Sequence, residues 1–195
     1  MGVSGDKAHA HAERGNDLYE TPDVAVEALL RVEKLPWMIW EPACGPGAIV
    51  RVLRKHGHDV LATDLVDYGS PDQDDSGWDF LAQKGWSEDE EAIVTNPPYR
   101  LAGRFVEHAI TLCPLVIILA RLAFYESTGR AAILSRLSRV HVFANRLPMM
   151  HRAGWTGPKS TSGVAFAWFV WDAKHTGPTT IDRITWREAD ASNHR

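Results

Sequence analysis

Short apolar runs alternate with amphipathic stretches along most of the chain, and the two periods mark where strands and helices are expected. The runs WMIWEPA (37–43), DVLATDL (59–65), AIVTN (92–96) and LVIILA (115–120) read as strands. The last is apolar throughout, as a strand covered on both faces is. Thr21-Pro22 predicts a helix start, with Thr21 capping free amides and Pro22 at the first helical position. Val24, Ala28 and Val32 follow at helical spacing. Ala48, Ile49, Val52 and Leu53 predict a second helix that Gly57 ends, and Leu101, Phe105, Ala109 and Leu112 a third. A helix is expected near 127–137, then strands at 140–145 (VHVFAN) and 163–172 (GVAFAWFVWD) that close as a hairpin. Residues 67–92 are acidic and loop-rich, with only a poorly defined third strand.

Strand–helix alternation of this kind predicts an α/β sandwich on a mostly parallel sheet. One domain is expected over residues 17–186, between a flexible tail (1–16) and a short C-terminal tail (187–195). The segment 146–162, RLPMMHRAGWTGPKSTS, is long for a loop inside a domain, and such loops are often functional.

The chain has 195 residues, 45% hydrophobic and 24% charged, which suits one globular domain with a substantial core. No apolar run approaches the roughly 20 residues that span a bilayer. The N-terminus lacks the apolar centre of a signal peptide, and Asp6 stands where a myristoylation motif wants Ser or Thr. The expectation is a cytoplasmic protein with no membrane partner. Cys44 and Cys113 form neither a zinc spacing nor a disulfide framework, and the pairs His9/His11 and His56/His58 read as surface, so no metal is expected. The net charge of −4 is unevenly spread. Residues 1–97 carry 8 Lys/Arg against 19 Asp/Glu, while residues 98–195 carry 13 against 6. A basic second half fits an anionic partner, and an ordinary solvated face has the same composition.

Four stretches carry chemistry. In EPACGPGAIV (41–50) two glycines leave a strand and enter a helix, where a ligand can approach the backbone. Val50 occupies the place of the third glycine of a dinucleotide fingerprint, which suits a nucleoside-type ligand without a pyrophosphate. A plain tight turn has the same spacing. Asp64 ends the second strand, where a carboxylate can accept from both ribose hydroxyls or simply cap the loop. Asp79-Phe80 can offer a carboxylate to an adenine amino group and a ring to its face, or be loop filler. In NPPY (96–99) the Asn96 side-chain oxygen and the Pro97 carbonyl form an acceptor pair, because proline has no amide hydrogen. Such a pair holds the two hydrogens of an amino group, and Tyr99 supplies a stacking surface.

Taken together, EPACGPG, TDL, DF and NPPY resemble class I S-adenosylmethionine-dependent methyltransferases of the amino-methylating group. They resemble most the small DNA adenine methyltransferases of phage and bacteria. The resemblance covers about residues 17–172. It implies a Rossmann-like sandwich with a seven-stranded sheet whose last strand is antiparallel, and S-adenosylmethionine as cofactor. It places Tyr19, Thr21 and Pro22 at the methionine end, and Glu41, Ala43, Cys44, Gly45 and Gly47 in the cofactor turn. Asp64 and Leu65 fall at the ribose, Asp79 and Phe80 at the adenine, and Asn96, Pro97, Pro98 and Tyr99 at the target.

A separate target-recognition domain, usual in sequence-specific members, is not expected within these residues. Loop 146–162 is expected to serve instead, with Arg146, His151, Arg152, Trp155 and Lys159 touching nucleic acid, unless a partner subunit or homodimer supplies recognition. Flipping a base from a duplex costs a few kcal/mol, which also keeps a single-stranded target in view. Two alternatives remain open. One is methylation of a protein glutamine or an RNA amino group, which pose the same chemical problem. The other is a noncatalytic nucleic-acid-binding module of the same fold.

Overall fold

The structure, a computed structural model, describes residues 20–84, 91–149 and 163–187. Eight strands form one sheet: β1 (Met38–Glu41), β2 (Asp59–Asp64), β3 (Asp75–Ser76), β4 (Ala92–Thr95), β5 (Leu115–Arg121), β6 (Arg139–Phe143), β7 (Phe166–Asp172) and β8 (Thr180–Ile184). Their order is β3-β2-β1-β4-β5-β7-β6-β8. β7 runs antiparallel to both its neighbours, and every other recorded pairing is parallel. The helices are α1 (Asp23–Leu30), α2 (Ala48–Lys55), α3 (Ala102–Leu112) and the single turn α4 (Ala131–Leu134).

The sheet separates two apolar layers. α1 and α2 press Ala25, Val26, Leu29, Ile49 and Leu53 against Ile39, Val94, Ile117, Trp168 and Val170 on one face. α3 and α4 press Phe105, Val106 and Ile133 against Trp40, Ile93, Val116, Phe169 and Trp171 on the other. Successive residues of β5 and β7 thus alternate between two buried faces, which is why both strands are apolar nearly end to end. The buried indoles are satisfied as they must be: Trp168 Nε1 donates to Ala25 O at 3.0 Å and Trp171 Nε1 to Ile133 O at 2.8 Å.

The α/β sandwich on a mostly parallel sheet is as expected, with one strand more than the seven implied. The antiparallel strand is β7, not the last; β8 follows it and pairs parallel with β6. β8 escaped the hydrophobic pattern because four of its five residues are exposed, and β3 because it is only two polar residues. β6 and β7 do pair antiparallel, within the two runs read as a hairpin.

The helices show two further differences. α1 buries Ala25, Val26, Ala28 and Leu29, while Val32 lies beyond its end and is 46% exposed. Helix 127–137 reduces to a 3₁₀ turn (Thr128–Arg130) and α4.

A polar network ties α1 to the β6–β7 half of the sheet. Glu33, just past α1, is buried and accepts from Arg139 Nε at 2.7 Å and Nη2 at 3.1 Å, and from His141 Nε2 at 2.6 Å. Arg139 Nη2 also reaches Asp172 at 3.1 Å. Burial alone would raise the Glu33 carboxyl, but hydrogen bonds from His141 and Arg139 together with the Arg139 charge hold it below its usual value.

Candidate functional site

β1 has β2 on one side and β4 on the other, so the connections leaving these strands diverge and open a crevice at their C-terminal ends. A cleft of about 380 Å³ lies there. The Ala43–Pro46 turn, Asp64 and Leu65, Asn96 and Pro98, and Phe80 all line it. Segments more than 50 residues apart in the chain meet because three adjacent parallel strands end on one rim.

The glycine turn is built by backbone strain that glycine alone takes cheaply. Gly45 has φ 53° and Gly47 φ 90°, and Gly47 then caps α2. Asp64 ties this turn to β2: its Oδ2 accepts from Gly45 N at 2.9 Å and its Oδ1 from Val66 N at 2.9 Å. Burial raises the Asp64 carboxyl, and these amides partly oppose the rise. Each carboxylate oxygen keeps a second acceptor position for a ligand hydroxyl. Gly47 is absent from the cleft lining. A Cβ there would collide with the Cβ of Asp72, so this glycine admits the β2–β3 loop rather than a ligand. Cys44 lines the cleft with its amide bonded to Thr63 O at 3.1 Å, and burial pushes its thiol up, away from the thiolate.

Glu41, the last residue of β1, is fully buried behind the turn. Its Oε1 accepts from the Thr95 hydroxyl at 2.6 Å, while Oε2 finds no hydrogen-bond partner among the described residues. Burial drives its carboxyl well above the usual range; the Thr95 hydroxyl and the nearby Ala43 amide oppose the rise, and the charge of Asp64 adds to it.

Asn96 follows β4 into the cleft and donates from Nδ2 to Thr21 Oγ1 at 3.1 Å. The Thr21 hydroxyl is therefore committed across 75 residues of sequence, and it does not cap α1. Pro22 takes the N-cap place without any side-chain bond, and it faces a neighbouring hollow shared with Arg51 and Pro148. Pro97 is buried, Pro98 reaches the cleft, and the Pro98 carbonyl accepts from Leu101 N at 2.8 Å to start α3. Tyr99 is not part of the cleft lining. Its ring leans on Phe166, with centroids 6.2 Å apart, and the guanidinium carbon of Arg121 lies 4.3 Å from the ring centre.

Asp79 and Phe80 both reach the cleft, with structural duties as well. Asp79 Oδ1 accepts from Leu81 N at 3.0 Å and caps the 3₁₀ turn Phe80–Ala82. Phe80 is 3% exposed, packed on Trp40, Phe105 and His108.

Tyr68, Trp78 and Arg100 line the cleft although no sequence pattern selected them. Burial, with the charge of Asp64 adding, pushes the Tyr68 phenol up to about 12. Tyr68 and Trp78 lie in an irregular loop without periodicity, so no pattern in the sequence marks them. Of the expected substrate loop, Leu147 and Met149 are buried and Arg146 is exposed. Tyr19, His151, Arg152, Trp155 and Lys159 lie outside the described residues.

No protein-family profile and no curated protein matches the chain in sequence. Solved structures do share its fold. A type I restriction-modification methyltransferase subunit from Streptococcus thermophilus superposes with a TM-score of 0.56 at 11% identity, over 90% of this chain and 52% of that one. A candidate type I restriction enzyme modification subunit from Vibrio vulnificus YJ016 gives 0.60 at 14% identity, over 96% and 54%. The E. cuniculi Mtq2–Trm112 complex responsible for methylation of the eRF1 termination factor gives 0.55 at 17% identity, over 80% and 98%. The chain spans about half the length of the two restriction subunits. The architecture is the Rossmann-like sandwich that these solved structures share.

Proposed function

We propose that this chain is an S-adenosylmethionine-dependent methyltransferase acting on an exocyclic amino group, with adenine in DNA as the first candidate. The observation that carries the reading is the convergence on one cleft of a glycine turn pinned by Asp64 and of Asn96 held by Thr21. The residues fit the cofactor: a buried carboxyl, Glu41, has an oxygen without a hydrogen-bond partner among the described residues, behind the turn, and Asp64 retains acceptor capacity at the rim. Ala43, Cys44, Gly45, Asp64 and Leu65 would hold its nucleoside, with Asp79 and Phe80 at the base and Thr21 toward the amino-acid end. When bound, the cofactor supplies an electrophilic methyl group on a cationic sulfur.

The chain's own residues orient the nucleophile. The Asn96 side-chain oxygen and the Pro97 carbonyl accept the two amino hydrogens and turn the nitrogen lone pair out of conjugation toward the methyl. The bound cofactor would supply the methyl group to the nitrogen held by Asn96 and Pro97 and would itself leave as the neutral thioether; the nitrogen's surplus proton would go to solvent, so the chain need provide no strong base. Acidic groups on the cofactor side and exposed arginines, Arg100 and Arg121, on the target side match a cationic cofactor and an anionic polymer.

Transfer of label from S-adenosylmethionine to unmethylated DNA, RNA and cell protein, followed by nuclease and protease digestion, tests this reading. Label recovered as methylated adenine supports it in full. Label in RNA or in a protein glutamine keeps the chemistry and moves the substrate, and no label in any polymer overturns the reading. Asn96→Ala is expected to lower turnover at least 100-fold, about 2.7 kcal/mol of transition-state stabilisation, with cofactor affinity within threefold of wild type. Retained turnover would remove Asn96 from the role.

A further inference from the structure

Tyr99, the ring that the sequence offers as a stacking surface for the target, already has a planar group over it. Tyr99 packs against the apolar layer that contains Phe166, and the Arg121 guanidinium lies over its ring, 4.3 Å from the centroid. The position is set by the backbone: Arg121 ends β5 directly opposite Phe166 in β7, so its side chain leaves the sheet beside the NPPY turn. Arg121 is exposed and makes no ion pair or hydrogen bond through its side chain among the described residues. Arg130 is a useful contrast. It stacks on Phe124 at 4.6 Å, but its Nη1 also donates to Phe124 O at 2.9 Å, which anchors it in place.

A guanidinium is planar and weakly hydrated, so it covers an aromatic face much as a base does, and it binds phosphate in a fixed fork. A base and a guanidinium cannot share one face of one ring. We propose that Arg121 occupies the stacking face of Tyr99 in the free enzyme, is displaced by the target base, and then grips a phosphate of the target strand. It is a positioning residue: it protects the aromatic face until a nucleotide arrives and converts the displacement into a backbone contact. This inference rests on the reading that the substrate is nucleic acid.

Binding of a labelled single-stranded adenine-containing oligonucleotide, measured across salt concentrations with S-adenosylhomocysteine saturating, tests it. The same sequence with an uncharged methylphosphonate backbone provides the control. One lost phosphate contact lowers the slope of log K against log salt by about 0.7. Arg121→Ala and Arg121→Gln are each expected to lose that slope and to weaken the phosphodiester strand three- to tenfold, while Arg121→Lys keeps the slope. Affinity for the methylphosphonate strand should be equal or higher in Arg121→Ala, because nothing has to be displaced. An unchanged salt slope in Arg121→Ala overturns the proposal, as does an equal weakening of both strands. A wild-type protein that binds neither strand would instead overturn the nucleic-acid reading on which it rests.

Discussion

At the scale of single residues, each carboxylate of the site has two jobs whose energetic demands differ. Asp64 spends one hydrogen bond on the glycine turn and one on Val66, so the cofactor rim and the turn are one unit. Glu41 is the costlier group. It is fully buried, its Oε2 has no hydrogen-bond partner among the described residues, and burial holds its carboxyl above the ordinary value. A group raised in the folded state contributes stability that is complete below the unfolded value and lost as pH climbs through the folded one. Glu41→Gln keeps an acceptor for the Thr95 hydroxyl and removes that loss. The variant is expected to gain about 1 kcal/mol or more at neutral pH, roughly 2–4 °C in thermal midpoint, while cofactor affinity falls at least tenfold. Thermal scans at pH 5 and pH 8 with calorimetric titration check both halves. A midpoint that tracks wild type at each pH would show that the glutamate is not held protonated.

At the scale of elements, the turn between β1 and α2 depends on a neighbour that sequence does not place beside it. Gly47 needs a left-handed backbone to cap α2, and its missing side chain leaves room for Asp72, which also pairs with Arg51 at 3.2 Å. Gly47→Ala therefore adds backbone strain and a steric collision. It is expected to cost about 2 kcal/mol, lowering the thermal midpoint by roughly 4–8 °C. An unchanged midpoint would mean that the 65–74 loop yields freely. The start of α1 teaches the reverse lesson. Thr21-Pro22 has the residues of a capped helix, yet the hydroxyl receives the amide of Asn96 instead. A local preference worth about 1 kcal/mol is easily redirected when a distant side chain offers a comparable bond.

For the whole molecule, the Glu33 network joins α1 to β6 and β7 on the half of the sheet away from the glycine turn. Glu33 faces Arg139 and His141, with Asp172 on the other side of the arginine. Its carboxyl is depressed, so the stability it contributes is full above the ordinary carboxylate value and is lost as pH falls through the lower folded value. Glu33→Gln strips the compensation from a partly buried arginine and a buried histidine and is expected to destabilise by about 3 kcal/mol at pH 7. Wild type should then lose stability more steeply than the variant below about pH 4.5. Urea unfolding of both proteins at pH 7 and pH 3.5 measures this, and parallel losses would count against the network.

Much of the fold follows from the chain alone, because a buried strand or an amphipathic helix writes its period into neighbouring residues. β5 and β7 are covered on both faces and read as apolar runs, and α2 shows its buried face at the spacing expected. The order of glycine turn, Asp64 and NPPY is also a local matter of strand ends. β3, β8 and the cleft residues Tyr68 and Trp78 were not legible, since polar edge pairs and irregular loops have no period. Tertiary structure alone decided the pairings between distant side chains: Thr21 with Asn96, Glu41 with Thr95, Gly47 with Asp72, and Arg121 over Tyr99. Such contacts depend on which strands become neighbours and where they end. That is set by packing the two apolar layers, and no single stretch of sequence records it.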